Sequence, residues 1–353
     1  MIPRRTLLAA LAAPPGAATP TLRDAARRAG ITLGAASETD LAAEPDYAAL
    51  FTAQCALLAP NLNWQRLSPH PTGPLANIDG SLQPARAAGL ALTGYHLLWH
   101  QRLPPWFDPL PRPDAERAIL DHIRTMAAAF ARDTYAWNVV NEAILPAANR
   151  SNGLRPSPLL EKFGTAFFDL AFQAARADAP AVLRVYNDYD LELATPEHER
   201  RRTTLLRLLD ELQSRAVPIQ AIGLQSHLRA ATFDRFDPAT YRRFLAELAR
   251  RGLALLITEL DVLDPPASDI PQRDRAIADI YRRFLDVALD EPRLRTLVFW
   301  GLTDRHTWLN DPTRASLRRA DGAPNRPLLF DRDLRPKPAY AAVMAALAAA
   351  PRR

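Results

Sequence analysis

Short apolar runs alternate along this chain with longer stretches in which apolar and polar positions recur at helical spacing. The runs fall at 31–37, 53–59, 90–99, 135–141, 182–188, 219–227, 253–260 and 294–301. Each is a near-continuous series of Val, Ile, Leu, Ala or aromatic residues, the pattern of a parallel strand buried on both faces. Between the fifth and sixth runs Leu205, Leu208, Leu209 and Leu212 form one helical stripe, and Tyr241, Phe244, Leu245 and Leu248 form another before a stop at Gly252. Ile277, Ile280, Phe284 and Leu285 repeat the pattern ahead of the last run. Strand and helix alternating eight times predict an α/β chain folded as a single (β/α)8 TIM barrel. A doubly wound sheet is the rival, but no G-x-G-x-x-G follows the first run. No break in composition marks a second domain, so one barrel over 21–348 is expected.

Composition narrows the classes. The chain has 353 residues, a net charge of +5 and 48% hydrophobic residues, enough for a large core. Its cations are arginines apart from Lys162 and Lys337, and runs such as Arg200-Arg201-Arg202 and Arg250-Arg251 lie beside acids on helical stretches. They read as solvated helix faces, and no basic segment is interleaved with aromatics as a nucleic-acid groove requires. Cys55 is the only cysteine, so no intrachain disulfide forms, and its neighbours Ala53, Ala56, Leu57 and Leu58 predict a buried thiol. Arg4 and Arg5 precede a short apolar run and small residues up to Ala18. That pattern predicts an export signal over 1–20, open to a twin-arginine route, and hence a periplasmic or secreted protein. The run is too short to span a bilayer, and no later segment predicts membrane insertion.

In a (β/α)8 barrel the chemistry collects at the C-terminal tips of the strands. The tips here read Trp99-His100, Asn141-Glu142, Asn187-Asp188, Gln225-Ser226-His227, Glu259-Leu260-Asp261 and Trp300-Gly301. Two carboxylates, Glu142 on the fourth strand and Glu259 on the seventh, therefore face each other across one mouth. Glycosidic cleavage needs such a pair: one carboxylic acid to protonate the leaving oxygen, one carboxylate to attack or to activate water. Tryptophan faces supply flat platforms for sugar rings. The expected partner is a polysaccharide or oligosaccharide, handled by a monomer without metal or cofactor.

These tips bring the chain close to a known family. Trp137 to Ala143 (WNVVNEA), Ile222 to Leu228 (IGLQSHL), Ile257 to Val262 (ITELDV), Asn187-Asp188-Tyr189, Trp300-Gly301 with Asp304 and Trp308, Pro327 to Phe330 and Pro336 to Tyr340 resemble, in order, segments of family 10 glycoside hydrolases, the xylanase-type barrels. The likeness runs from about residue 31 to 345. It implies a retaining hydrolase of β-1,4-linked glycan such as xylan, with Glu142 as acid/base and Glu259 as nucleophile. It further implies that Asn141 holds the sugar 2-hydroxyl, that His227 bonds the nucleophile, and that Asp261 is the acidic partner of His227. Trp99, His100, Asn187, Gln225, Trp300 and Trp308 would line the sugar sites.

The departures from the family gather on the glycone side. Asn63 stands where the family has Lys, Tyr95 where it has His, and Arg102 where it has Gln. A one-residue slip would instead put His96 and Gln101 in those last two places. A guanidinium can hold a carboxylate in a bidentate fork, so Arg102 raises an acidic sugar as a ligand, against a pairing with Asp108 or a place on the surface. Two other readings remain on the sequence. A barrel that binds polysaccharide without cutting it would keep the tryptophans but needs neither glutamate. A metal-dependent hydrolase lacks its motifs, since the seven histidines form no H-E-x-x-H and no H-x-H on a first strand.

Overall fold

The computed structural model describes residues 20–148, 150–265 and 269–353. The predicted export signal over 1–20 lies, but for Pro20, outside the described residues.

Eight parallel strands close into a barrel. They are β1 (Thr32–Ser37), β2 (Leu57–Pro60), β3 (Ala91–Gly94, resumed at Leu98–Trp99), β4 (Thr134–Asn141), β5 (Leu183–Asp188), β6 (Ala221–Leu224, resumed at His227–Arg229), β7 (Ala254–Leu263) and β8 (Leu294–Phe299). Closure is made by β8, which pairs with β7 on one side and with β1 on the other, Thr32 opposite Thr296 and Ala35 opposite Phe299. All eight runs of the sequence contain a strand, because a strand enclosed by helices outside and side chains inside has no polar face to show.

The boundaries differ in three places, each with a cause. Ala53 and Gln54, read as the start of the second run, belong to the helix Pro45–Gln54, whose apolar Leu50, Phe51 and Ala53 run into the strand that follows. The third and sixth runs are each interrupted, at residues 95–97 and 225–226, where single backbone bonds to the neighbouring strands persist and Tyr95, His96 and Gln225 line the mouth.

The helical stripes bury as the spacing requires. Leu205, Leu208, Leu209 and Leu212 are buried on the helix Pro196–Ser214, and Tyr241, Phe244, Leu245 and Leu248 on Pro238–Arg250. The second helix starts under an N-cap, with Asp237 Oδ2 accepting from the Thr240 amide at 2.8 Å, and is followed by Gly252 at φ 78°. Cys55 is buried. Among the described residues no helix is long and apolar enough to cross a membrane.

The run Arg200-Arg201-Arg202 is not the solvated face that its charge pattern predicts. Arg201 and Arg202 are buried, at 2% and 3% exposure. Arg201 pairs with Asp188 at the tip of β5 and donates to the Tyr189 carbonyl, and Arg202 donates to the carbonyls of Leu191 and Leu193. A single sequence does not distinguish these two inward cations from the outward Arg200.

Candidate active site

One cleft opens at the C-terminal mouth of the barrel, about 420 Å³ in volume and lined by residues that include Glu142, Glu259, Gln225, His227, Trp99, Trp300 and Trp308. Every strand tip contributes a lining residue, β5 through Tyr189 and Asp190.

Glu142 follows β4 directly and sits at φ 56°, in the left-handed region, which costs a non-glycine residue of order 1–2 kcal/mol. Two contacts hold it there. Its amide donates to the Asn187 carbonyl at 2.9 Å, and its own carbonyl accepts from Arg155 Nε at 2.7 Å. The carboxyl is buried, with Oε1 accepting from Gln225 Nε2 at 3.0 Å and from Asn141 Nδ2 at 3.1 Å. Burial raises its pKa above the ordinary glutamate value, partly opposed by the Gln225 hydrogen bond and reinforced by Asp188 and Glu259.

Glu259, inside β7, is shifted the other way. Oε1 accepts from Asn187 Nδ2 at 2.8 Å, and Oε2 accepts from His227 Nε2 at 3.3 Å. His96 Nε2 lies 3.9 Å from Oε1, beyond hydrogen-bond range. Burial pushes this carboxyl up, but His227 and then His96 outweigh it and bring it down to about 2. The two carboxyls that share the cleft are thus shifted in opposite directions, Glu142 up and Glu259 down.

His227 bridges two carboxylates, since Nδ1 also donates to Asp261 Oδ1 at 2.8 Å. With an anion at each nitrogen, both nitrogens carry protons and no single neutral tautomer is selected. Burial lowers the ring's pKa, Asp261 and Glu259 raise it by more, and it stands at about 10. Asp261 is almost fully buried and spends its other oxygen on Trp308 Nε1 at 2.6 Å, so one carboxylate fixes both the imidazolium and the Trp308 indole.

An amide chain joins the two glutamates. Asn187 Nδ2 donates to Asn141 Oδ1 at 2.8 Å as well as to Glu259, while Asn141 donates to Glu142. Asn187 Oδ1 is taken by Thr258 Oγ1 at 2.7 Å, and Gly223 beside it leaves the room: a Cβ there would lie 2.1 Å from that oxygen.

Two of the residues expected to line the sugar sites do not. Asn187 is fully buried behind Glu259 and donates to that carboxylate rather than facing the cleft. His100 is absent from the cleft wall, and burial holds its ring at about 4. Trp99, Asn63, Tyr95, Arg102, Gln225, Trp300 and Trp308 all line the cleft, and so do His96 and Gln101, the pair that the one-residue slip would bring in. Asn63 is turned inward as the N-cap of a short helix, accepting from the Arg66 amide at 2.9 Å.

The sequence reading missed several supports. Glu38 enters the cleft from the end of β1 and accepts from Asn61 Nδ2 at 3.0 Å. Arg155 clamps the Glu142 peptide and also reaches Tyr189 Oη at 2.7 Å. Asp188, read in the sequence only as part of a strand tip, ties the end of β5 to the Ile144 amide and to Arg201. A polar residue one step beyond the first apolar run is the cue that finds Glu38; Arg155 sits in a loop without any such cue.

The family model described as Glycosyl hydrolase family 10 matches residues 21–346. Endo-1,4-beta-xylanase 5 of Pyricularia oryzae is 30% identical over 341 residues, which cover 93% of this chain and 79% of the relative. A thermostable celloxylanase of Thermoclostridium stercorarium is 30% identical over 300 residues, 76% of this chain and 72% of that one. Among solved structures, xylanase 10B from Thermotoga petrophila in complex with xylobiose superposes with a TM-score of 0.82 at 26% identity, covering 94% of this chain and 98% of that chain.

Proposed function

From a chain that belongs to glycosyl hydrolase family 10, we propose cleavage of β-1,4-linked xylan-type glycan by double displacement, with net retention at the anomeric carbon. The observation that carries this reading is the pairing across one cleft of a buried Glu142 with Glu259, whose two oxygens are held by Asn187 and His227. Their opposite displacements give each carboxyl its task.

Glu142, protonated at rest, gives its proton to the glycosidic oxygen while an oxygen of Glu259 attacks the anomeric carbon. The bond to the leaving sugar breaks, and an ester forms between the glycone and Glu259. Glu142, now a carboxylate, takes a proton from water, whose oxygen attacks the same carbon. The ester opens, Glu259 leaves as carboxylate, and two inversions give retention. Asn187 and the His227 imidazolium position Glu259 and keep it ionised. Asn141, whose amide already touches Glu142, is placed to bond the sugar 2-hydroxyl where charge develops. Trp99, Trp300 and Trp308 supply the stacking faces.

The opposite shifts of the two glutamates support hydrolysis over a barrel that only binds glycan, which would have no use for them. Incubation with unsubstituted β-1,4-xylan, followed by chromatography of the products, tests the reading. Shorter xylo-oligosaccharides are expected; retention of the polymer on the protein without any cleavage contradicts it.

A further inference from the structure

Arg102 stands on the cleft wall, half-buried, with its guanidinium carbon 5.5 Å from the ring centre of Trp99. Among the described residues no carboxylate pairs with it, and its one polar contact is a long one, from Nη1 to the Gln101 carbonyl at 3.5 Å. Asp108, the neighbouring acid that would neutralise it, is exposed and takes no part; the contact at that residue is its carbonyl accepting from Lys162 Nζ. The opposite wall offers a control. Arg314 sits on Trp308 in the same manner, 4.7 Å from the ring centre, but has the Asp311 carboxylate 3.9 Å away. Of the two arginine-on-tryptophan pairs that flank the glutamates, only the one on the β3 side lacks a counter-charge.

A guanidinium carries five N–H donors in a planar fork whose natural complement is a carboxylate. Laid against an indole, it is partly stripped of water, which strengthens its preference for an anion over a neutral hydroxyl. The acids that share the cleft do not meet this need. Glu38 is engaged by Asn61, Glu142 and Glu259 are held within the catalytic network, Asp311 stands by Arg314, and Asp190 lies past the tip of β5 in the field of Arg201.

We propose that Arg102 binds a sugar carboxylate, so that the glycan this protein selects carries a hexuronate on its glycone side. The proposal rests on the hydrolase reading above and adds the substrate class. Asn63 and Tyr95, also on the β2 and β3 side, line the same end of the cleft and remodel the wall around the guanidinium.

The test compares kcat/KM for an unsubstituted xylo-oligosaccharide with that for the same oligosaccharide bearing one glucuronate on its glycone half. In Arg102→Gln the acidic-to-neutral ratio falls by about tenfold or more, the scale of a lost charge-assisted contact. In Arg102→Lys, which keeps the charge without the fork, it falls less. Salt lowers the ratio in the natural protein and leaves it flat in Arg102→Gln. A ratio that changes less than twofold in Arg102→Gln overturns the proposal. Calorimetric binding of both oligosaccharides to the same variants separates this from the hydrolase reading. If neither is cut but Arg102→Gln loses affinity for the acidic one alone, hydrolysis fails and the carboxylate site stands; equal losses on both remove the site.

Discussion

The Nε2–H of His227 donates to Oε2 of Glu259 at 3.3 Å, while the other nitrogen of the same ring donates to Asp261. This bridge holds Glu259 near 2 and the imidazolium near 10, so the two groups keep each other charged. In His227→Gln the burial of Glu259 is opposed only by His96 and Asn187. The acid limb of the kcat/KM profile then moves to higher pH by about one unit or more. The alkaline limb, set by loss of the Glu142 proton, stays in place. A variant that loses activity equally at every pH would make His227 a packing residue.

The same pair gives stability its own pH dependence. The ring's pKa is raised in the fold from the ordinary 6.5 to about 10. Its contribution is therefore fully present below 6.5 and is lost as the pH rises through 10. Urea midpoints should show the natural protein losing its advantage over His227→Gln between those two values. A constant difference across that window contradicts a charged His227.

Glu142→Ala removes the proton donor and leaves the nucleophile ionised. Turnover on xylan should fall by roughly 10²–10⁴-fold with the melting temperature nearly unchanged. Azide should restore part of the rate on aryl glycosides with a good leaving group, since a small anion can enter the space and attack the glycosyl-enzyme. Absence of rescue on such substrates would remove Glu142 from the acid/base role.

Gly223→Ala tests the amide chain without touching either glutamate. A methyl there would lie 2.1 Å from Asn187 Oδ1 and 2.9 Å from Thr258 Cγ2, so Asn187 must turn away from Glu259 and Asn141. The fold should lose about 1–3 kcal/mol, and turnover should fall by up to about 10²-fold from the misplaced nucleophile. A loss of stability with full turnover per folded molecule would show that Asn187 does not position Glu259.

Much of this was legible in the sequence, for a physical reason. Strands such as β4 and β7 are buried on both faces, so their apolar runs stand out, and the first ionisable residue at each tip has no core role to explain it. That is how Glu142, Glu259, His227 and Asp261 could be read directly. Asn187 could not be told from a sugar-binding amide, because its contacts come from strands 46 and 72 residues away. Arg201 reads like its solvated neighbour Arg200 until the tip of β5 supplies Asp188. The interruptions in β3 and β6 are invisible in the pattern of apolar runs, since the residues there remain buried and still bond to the neighbouring strands.

Arg201→Met should confirm that inward role. Removing one partner of a buried ion pair costs about 3–5 kcal/mol, here by stranding Asp188, which also holds the Tyr189 and Ile144 amides. Chemical denaturation should show this loss, whereas Arg200→Met should shift the midpoint little. Equal effects would return Arg201 to the surface.

The central claim is that Glu259 attacks the sugar and Glu142 does not. A 2-deoxy-2-fluoro xylobioside with a good leaving group slows both steps but leaves the first faster, so a covalent intermediate accumulates. Proteolysis and mass spectrometry then locate it. The account predicts one glycosyl group per molecule, on Glu259, and none in Glu259→Ala. A label on Glu142, or product of inverted configuration with no label at all, would contradict it.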